Sequence, residues 1–206
     1  ELYQSWEEGA WKGLGQTNLT YDAKGNVLSE DVKIPGEDGS WINYSQTTRT
    51  YDDKGNKTGE TQVKWKADYW AKQKRFTYTY NEKGKMLTML FERSNNENWE
   101  NWENTYYTYD ENGFLTNETR KVWEDEWKTY DQITYTNDAK GHSIKQLSQY
   151  LGGVAWGNSS RGTYTYDAAG NKTSEVIEKW ERPEGGDIFS GEWVNESKCE
   201  YKFTKK

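Results

Sequence analysis

Aromatic and polar residues alternate in strand-like segments along the whole chain. In WGNSSRGTYTYD, counted from Trp156, even positions hold Trp156, Asn158 and Tyr164, whereas odd positions hold Arg161 and Thr163. Successive side chains of a strand point to opposite faces. The spacing therefore predicts a strand with one aromatic face and one threonine-rich polar face, both of which favour β structure. A second strand with weaker alternation follows it, as in NKTSEVIEKW.

A tight turn joins the two strands, and it occurs six times. In its first copy, YDAKGNVLSE at residues 21–30, Asp22 starts the turn and Gly25 closes it. The Asp side chain accepts a bond from the backbone two residues on, and the Gly supplies the positive φ of a type I turn plus bulge. The turn glycines are Gly25, Gly55, Gly84, Gly113, Gly141 and Gly170, and the turn starters are Asp22, Asp52, Asn81, Asp110, Asp138 and Asp167.

A calcium-binding loop is a rival interpretation of this turn. Asp110, Asn112 and Gly113 match the start of such a loop, but a calcium loop needs further ligands and a Glu at its twelfth position. No copy has that pattern. We therefore predict a structural turn and no metal site.

A tryptophan precedes every turn glycine by fourteen residues, so the repeat is longer than the turn. These tryptophans are spaced 30, 29, 29, 28 and 29 residues apart, and Trp193 opens a seventh, incomplete copy. A fixed period with two strands per copy is typical of an array of hairpins. The six tryptophans of the complete copies are Trp11, Trp41, Trp70, Trp99, Trp127 and Trp156.

These observations predict an all-β fold, an extended antiparallel meander of about seven β-hairpin repeats in one domain over residues 1–206. A mean hydropathy of -1.25 and 32% hydrophobic residues leave little to fill a core, and a sandwich would need far more Val, Ile and Leu. The 12 Trp and 16 Tyr argue against disorder. We therefore expect a largely single-layer twisted sheet without a central core.

Several second strands end in a tryptophan shortly before the next first-strand tryptophan. Two such residues, facing each other across a short loop, are expected to form a cross-strand aromatic pair. In other copies Ile34 and Leu151 take that place, and Trp102 is left over. The expected pairs are Trp6 with Trp11, Trp65 with Trp70, Trp123 with Trp127, and Trp180 with Trp193.

Charge and composition exclude several classes of partner. A net charge of -7 disfavours nucleic acid and anionic membranes, and no apolar run is long enough to cross a bilayer. The single Cys199 excludes an internal disulfide framework, and we expect a buried or half-exposed inert thiol. The sequence begins at Glu1 without an initiator Met, which suggests a secreted or cell-surface protein whose signal peptide has been removed.

The unit WxN…TYTYDxxGNxT resembles two families. Its YD half resembles the YD repeats of the Rhs and teneurin type, although the Arg residues that flank those repeats are mostly missing here. The whole unit is more similar to the secreted single-layer β-hairpin-repeat proteins of gut bacteria, over nearly the entire chain. That resemblance implies action outside the cell and a part in complex-carbohydrate metabolism, and it supplies no catalytic residues.

No catalytic set is predicted, and no cofactor. The single His142 follows a turn glycine where other copies have Asn, so it is interpreted as a turn residue and not as a base. Glutamates recur near the middle of the second strands, but a glycosidase pair needs a pocket that shifts one pKa, which a flat sheet lacks. These glutamates are Glu30, Glu60, Glu118 and Glu175.

The hypothesis for function is a non-catalytic protein that binds complex carbohydrate through rows of tryptophans, with asparagines beside them as hydrogen-bonding groups. Tryptophans of successive copies would recur at about 10 Å, twice the strand spacing, which resembles a disaccharide step. The alternatives are that the tryptophans pack only to hold the sheet, or that they dock a surface protein or a second copy. The candidate residues are Trp11, Trp41, Trp70, Trp99, Trp127, Trp156, Trp193, Asn43, Asn101, Asn158 and Asn195.

Overall fold

The computed structural model describes residues 1–7, 9–187 and 189–202, so Glu8, Ile188 and residues 203–206 lie outside it. The regular structure of this part of the chain consists of fourteen strands, which confirms the predicted all-β hairpin array. The strands are β1 (Leu2–Glu7), β2 (Ala10–Tyr21), β3 (Val27–Pro35), β4 (Trp41–Tyr51), β5 (Lys57–Lys66), β6 (Tyr69–Tyr80), β7 (Met86–Asn95), β8 (Asn98–Tyr109), β9 (Leu115–Glu124), β10 (Glu126–Asn137), β11 (Ser143–Gly152), β12 (Ala155–Tyr166), β13 (Lys172–Glu181) and β14 (Glu192–Glu200).

Strand order in the sheet follows the order in the chain, from β1 to β14, in one open antiparallel sheet. The chain divides into two compact units, Glu1–Glu103 and Asn104–Lys206, and the division falls inside β8. We call them the N-terminal and the C-terminal unit and describe each by itself. The single domain over residues 1–206 stays a prediction.

The predicted turns are confirmed in detail. In the first turn, the amide of Gly25 donates to the carbonyl of Asp22 at 3.1 Å, and the Asp22 carboxylate accepts from the amides of Lys24 and Asn26 at 2.8 Å each. All six turn glycines have positive φ, between 74° and 89°. An L side chain rarely adopts that conformation, which explains why the residue never varies.

Each first strand whose register is known contains a bulge that the sequence pattern did not reveal. In the C-terminal unit Ser148 pairs with Ser160 while Gln149 pairs with Asn158, so Ser159 is left without a partner on β11. The extra residue shifts the alternation by one. The skipped residue is the third after the tryptophan in every copy for which the register is known, and it is exposed each time: Leu14, Tyr44, Gln73, Tyr130, Ser159 and Glu196.

The prediction of one aromatic and one polar face was therefore wrong. Along β11 the residues Lys145, Leu147, Gln149 and Leu151 share one face, so their partners on β12 do too: Thr163, Arg161, Asn158 and Trp156. Tyr164 pairs with Glu175 on the opposite face. We call the first side the tryptophan face of a unit and the opposite side its tyrosine face.

Hydrogen bonds from strand-end tyrosines join each hairpin to the one before it. The hydroxyl of Tyr51 donates to the carbonyl of Val27 at 2.9 Å, and that of Tyr80 donates to the carbonyl of Lys57 at 2.7 Å. Tyr166 donates in the same way to Ser143, and Asn137 makes the equivalent bond to Leu115. Each acceptor lies two residues after a turn glycine, so the bond fixes the end of one turn to the next hairpin.

The described residues form no central core, as predicted. Among the described residues, Ala71 is the one buried hydrophobic residue, at 1% exposure, and no large side chain is fully buried. Side chains instead pack in small groups on either face. On the tyrosine face of the N-terminal unit, for example, the rings of Phe76 and Phe91 stack at 5.0 Å, and Phe76 stacks on Tyr78 at 6.3 Å.

Candidate functional site

Four cross-strand tryptophan pairs lie beside the variable loops, as the sequence predicted. The two indoles of each pair meet edge to face, with ring centroids 5.0–5.2 Å apart and interplanar angles of 66–71°. This is a favourable geometry for aromatic rings because the positive edge of one meets the negative face of the other. The pairs are Trp6 with Trp11, Trp65 with Trp70, Trp123 with Trp127, and Trp180 with Trp193.

Single tryptophans occupy the hairpins between these pairs. Trp156 pairs with Leu151, as expected, but Trp41 pairs with Pro35, whereas Ile34 faces Ile42 on the other side of the sheet. The expectation for Ile34 was therefore wrong. The Trp41 indole covers Gly13, where a Cβ atom would lie 2.7 Å from the ring.

Trp99 is the third single tryptophan, and basic side chains cover it. The Arg75 guanidinium lies 5.0 Å from its ring centroid, and the Lys72 ammonium lies 5.7 Å away. Arg75 is held in place by two hydrogen bonds to Glu92, both 2.6 Å long. This indole therefore has cations at its face.

Exposure separates the candidate tryptophans into two groups. Trp11 is 63% exposed and Trp41 is 37% exposed. The other five, Trp70, Trp99, Trp127, Trp156 and Trp193, are half-buried against their neighbours. Packing on the sheet thus accounts for part of the surface of most of these indoles, and part of each remains accessible.

The candidate asparagines follow their tryptophans by two residues. Asn43, Asn158 and Asn195 pair with Lys33, Gln149 and Glu178 respectively, which places each on the same face as its tryptophan. Asn195 is exposed, and Asn43, Asn101 and Asn158 are half-buried. Trp and Asn are two residues apart in a regular stretch of strand before the bulge, so ordinary alternation places them on one side.

The C-terminal unit has a groove of about 520 Å³ on its tryptophan face. Two predicted residues, Trp193 and Asn158, line it, and its other residues were not predicted as site residues from the sequence. Leu147 and Gly162 are further apolar residues of its lining. The polar side chains around it include Lys145, Asn158, Thr163, Arg161 and Glu178.

Arg161 connects the indole to the charged part of the groove. Its guanidinium lies 4.6 Å from the Trp193 ring centroid and donates to Glu178 through two bonds of 2.6 and 2.7 Å. These bonds hold the pKa of Glu178 below its usual value. Arg161 and Glu178 are seventeen residues apart, as are Arg75 and Glu92, and this repeated spacing is a signal that could have identified the pair from the sequence.

A chain of side-chain amides leads across the sheet to the groove. Asn117 donates to Gln132 at 3.4 Å, Gln132 donates to Gln149 at 3.1 Å, and Gln149 donates to the Asn158 carbonyl oxygen at 3.1 Å. All these donors point the same way along β9 to β12. The chain ends at the Asn158 amide, whose NH2 group makes no hydrogen bond within the described residues.

The glutamates considered for catalysis are engaged in other interactions on the tyrosine faces. In the N-terminal unit Arg49 bridges Glu30 at 3.0 Å and Glu60 at 3.2 Å, and Lys57 contacts Glu60 at 2.9 Å. Burial raises the pKa of Glu60, but the bonds from Lys57, Gln62 and Arg49 outweigh it and the pKa is lowered. These carboxylates neutralise bases that the thin sheet leaves half-buried.

In the C-terminal unit the corresponding glutamates are bound in the same manner. Glu175 contacts Lys172 at 2.7 Å, and Glu118 accepts the Tyr135 hydroxyl at 2.7 Å. Burial, followed by the bond to Glu118, raises the pKa of Tyr135 strongly.

His142 is a turn residue, as predicted. Its backbone amide and its Nδ1 atom both contact the Asp138 carboxylate at 2.9 Å, and its ring stacks on Tyr166 at 4.7 Å. It therefore takes the place that Asn26 has in the first turn. Cys199, by contrast, is exposed, so the expectation of a buried or half-exposed thiol was wrong.

No group of three or more His, Cys, Asp or Glu side chains suited to a metal ion occurs in the part of the chain that the structure describes. Within the same residues, no helix has the length and apolar character needed to cross a membrane.

No family model and no curated protein matches the chain. Among solved structures, a Bacteroides fragilis protein of unknown function is 15% identical with a TM-score of 0.47, covering 57% of this chain and 89% of its own. A DUF3836 family protein from Bacteroides vulgatus is 18% identical with a TM-score of 0.31, covering 56% and 96%. TcdB2-TccC3, solved with Cdc42, is 13% identical with a TM-score of 0.39, covering 88% and 14%. Neighbours at this low identity include Bacteroides proteins.

Proposed function

We propose that this β-hairpin-repeat protein is non-catalytic, acts outside the cell and binds complex carbohydrate on its tryptophan face. The groove beside Trp193 is the observation on which the proposal rests. Its lining combines an indole, apolar Leu147 and polar side chains, and a few placed polar groups on an apolar surface are typical of small-ligand sites.

The chemistry of this groove suits a sugar ring. One face of a pyranose presents C–H groups that pack on an indole, and its hydroxyl rim needs donors and acceptors beside that indole. Trp193 supplies the ring: Trp180 and Arg161 hold it in place, and the sugar would pack on the part of the indole that they leave exposed. Asn158, Thr163 and Glu178 supply hydrogen-bonding groups.

Binding without hydrolysis is favoured because the groove has one carboxylate in its lining, that of Glu178. Hydrolysis of a glycosidic bond uses two carboxyl groups, one of which must stay protonated to act as an acid. Glu178 is ion-paired to Arg161 and its pKa is lowered, which is the opposite of what a general acid needs.

Affinity electrophoresis tests the proposal directly. The protein is run through native gels that contain plant, host or microbial polysaccharides, and we expect at least one polysaccharide to retard it. Trp193→Ala should abolish the retardation. Trp180→Ala is the matched control, because it breaks the same indole pair but removes no side chain from the groove.

Two results would contradict carbohydrate binding. If no polysaccharide retards the protein, or if both variants retain full retardation, the tryptophan face is not a glycan site.

Separating the producing cells into cytosol, envelope and medium tests the proposed location.

Docking of another protein is the second candidate, and the first hairpin favours it. Leu2, Trp6, Trp11 and Leu14 are each 56–63% exposed there. Clusters of exposed apolar residues mark interaction surfaces in soluble proteins. Trp6→Ser together with Leu14→Ser should then abolish association with the partner and leave retardation by polysaccharides unchanged.

A further inference from the structure

The groove of the C-terminal unit contains a hydrogen-bond donor, the Asn158 NH2 group, at the end of a chain of side-chain amides. Along the amide chain each side chain donates to the next, so the Asn158 NH2 group stands at the donor end. Hydrogen bonds arranged in series polarise one another, which strengthens the donor at the end of the chain. The NH2 group of Asn158 is therefore a strengthened donor that can bind an oxygen acceptor of a ligand.

Charge in the same groove is unbalanced. Arg161 and Glu178 form an ion pair, so they largely neutralise each other. Lys145 lies at the groove between Thr136 and Thr163, its neighbours on β10 and β12, and has no acidic partner within the described residues. A chain with a net charge of -7 thus has a locally positive groove.

We propose that this groove selects polysaccharides that bear carboxylates, such as chains of uronic acids, through the Lys145 ammonium and the Asn158 amide. The inference rests on the proposed carbohydrate binding and specifies its ligand. Bonds between a charged and a neutral partner are about twice as strong as neutral ones. Lys145 and Asn158 would each form such a bond with a carboxylate of the ligand.

The distance between the two donors sets a minimum length for the ligand. Lys145 and Gln149 are on the same face of β11, and Asn158 pairs with Gln149. Four strand residues span about 14 Å, which is longer than one sugar. The ligand is therefore an oligosaccharide with acidic groups on separate residues, and a monomeric uronic acid should bind much more weakly.

Polygalacturonate and its methyl ester provide a matched pair of probes, because they share a backbone and differ in the carboxylate. Affinity electrophoresis of the full chain should show retardation by the acid form and at least tenfold weaker retardation by the ester. Galacturonic acid as a monomer should compete poorly. Dextran sulfate is the control for charge alone: the net charge of the chain repels every polyanion, and dextran sulfate has no uronic carboxylate to place at Lys145 and Asn158, so it should not retard the protein.

Two variants test the residues. Lys145→Gln should weaken binding of polygalacturonate about tenfold, the usual effect of losing one charge-assisted bond. Asn158→Asp keeps the acceptor for Gln149 but replaces the free donor with a negative oxygen, so it should abolish binding. Lys66→Gln removes the same charge from an exposed position in the N-terminal unit and should change nothing. Urea unfolding of each variant verifies that it folds.

The outcomes separate this inference from the proposed function. Equal binding of the acid and the ester, equal binding of dextran sulfate, or an unchanged Lys145→Gln variant would overturn the acidic ligand while leaving carbohydrate binding intact. Failure of every polysaccharide, neutral or acidic, would overturn both.

Discussion

At the scale of single residues, eight of the 12 indoles pack against one another in pairs, because the described residues form almost no interior that could bury them. Each paired indole has one ring as its principal neighbour, at 5.0–5.2 Å. An aromatic pair is worth about 0.5–1.5 kcal/mol beyond the area that it buries. The energy of the fold is therefore distributed over many local pairs.

A double-mutant cycle on Trp123 and Trp127 should measure this pair energy. We expect the two Ala substitutions to couple by about 0.5–1.5 kcal/mol in urea unfolding, since either one alone already removes the edge-to-face contact. Trp123 with Trp156 is the matched control, because these indoles have different partners, and its coupling should stay below about 0.5 kcal/mol. Equal coupling in both cycles would refute pairwise stabilisation.

The turn aspartates should make stability depend on pH. The bonds that Asp52 accepts, first from the Asn56 side chain and then from the Asn56 and Lys54 amides, hold its pKa below the usual value. A lowered pKa means that the stabilisation is present above the unfolded pKa of about 3.9 and is lost as pH falls through the folded pKa. The same holds for Asp22, Asp138 and Asp167.

Urea midpoints measured from pH 6 to pH 2 check this expectation. The midpoint should fall below about pH 4, and Asp52→Asn should reduce the fall. Asp53→Asn, one residue later in the same turn and exposed, should leave the slope as it is. A slope that both substitutions reduce equally would point to general charge effects instead of the turn bonds.

At the scale of elements, the strands and turns could be predicted from the sequence, but the faces could not. The turn glycine and the tryptophan fourteen residues before it determine where each strand begins and ends. In these first strands the bulge consists of one residue that has no partner on the preceding strand. This residue is Leu14, Tyr44 or Ser159 in different copies, so no shared residue type marks the bulge in the sequence. Regular alternation from Trp156 therefore predicted that Tyr164 lies on the tryptophan face, whereas it lies on the tyrosine face.

Trp102 illustrates the same point. It is the third residue after Trp99 and 41% exposed, which is the position and exposure of the bulge residues in the other copies. The prediction of the candidate site was incomplete for the same reason. The bulge places Arg161 and Thr163 on the face that carries Trp193, and a strict alternation does not. Two residues of the groove, Trp193 and Asn158, could therefore be predicted from the sequence, whereas its charged residues could not.

Bonds from the strand-end tyrosines to the preceding turn should stabilise the array one hairpin at a time. Tyr80→Phe removes the bond to the Lys57 carbonyl and should lower the free energy of unfolding by about 0.5–1.5 kcal/mol. Tyr21 is the matched control: it has the same place in its copy, but it is 55% exposed and makes no such bond in the described chain. Tyr21→Phe should change the free energy of unfolding little, and equal losses in the two variants would contradict this role.

At the scale of the whole molecule, stability comes from contacts between neighbouring strands. Strand order equals chain order, and burial is shallow among the described residues, so none of them organises the rest from a centre. Repeat arrays of this kind behave as sums of unit and interface energies. A composition with 32% hydrophobic residues is sufficient for such a fold, which is why the absence of a core could be predicted from composition and period together.

Removal of one whole copy should therefore be tolerated, whereas removal of half a copy should not. Deletion of residues 138–166 joins Asn137 to Asp167, two positions that are equivalent in phase, and keeps every later strand in its direction. We expect cooperative urea unfolding with an m-value lower by about one seventh, since m scales with the surface exposed. Deletion of residues 143–154 removes β11 and its loop, which reverses the direction of each later strand and places Trp156 beside the Asp138 turn. That variant should lose most of its β-sheet circular dichroism, and equal stability of the two deletions would show that the phase of the repeat does not organise the fold.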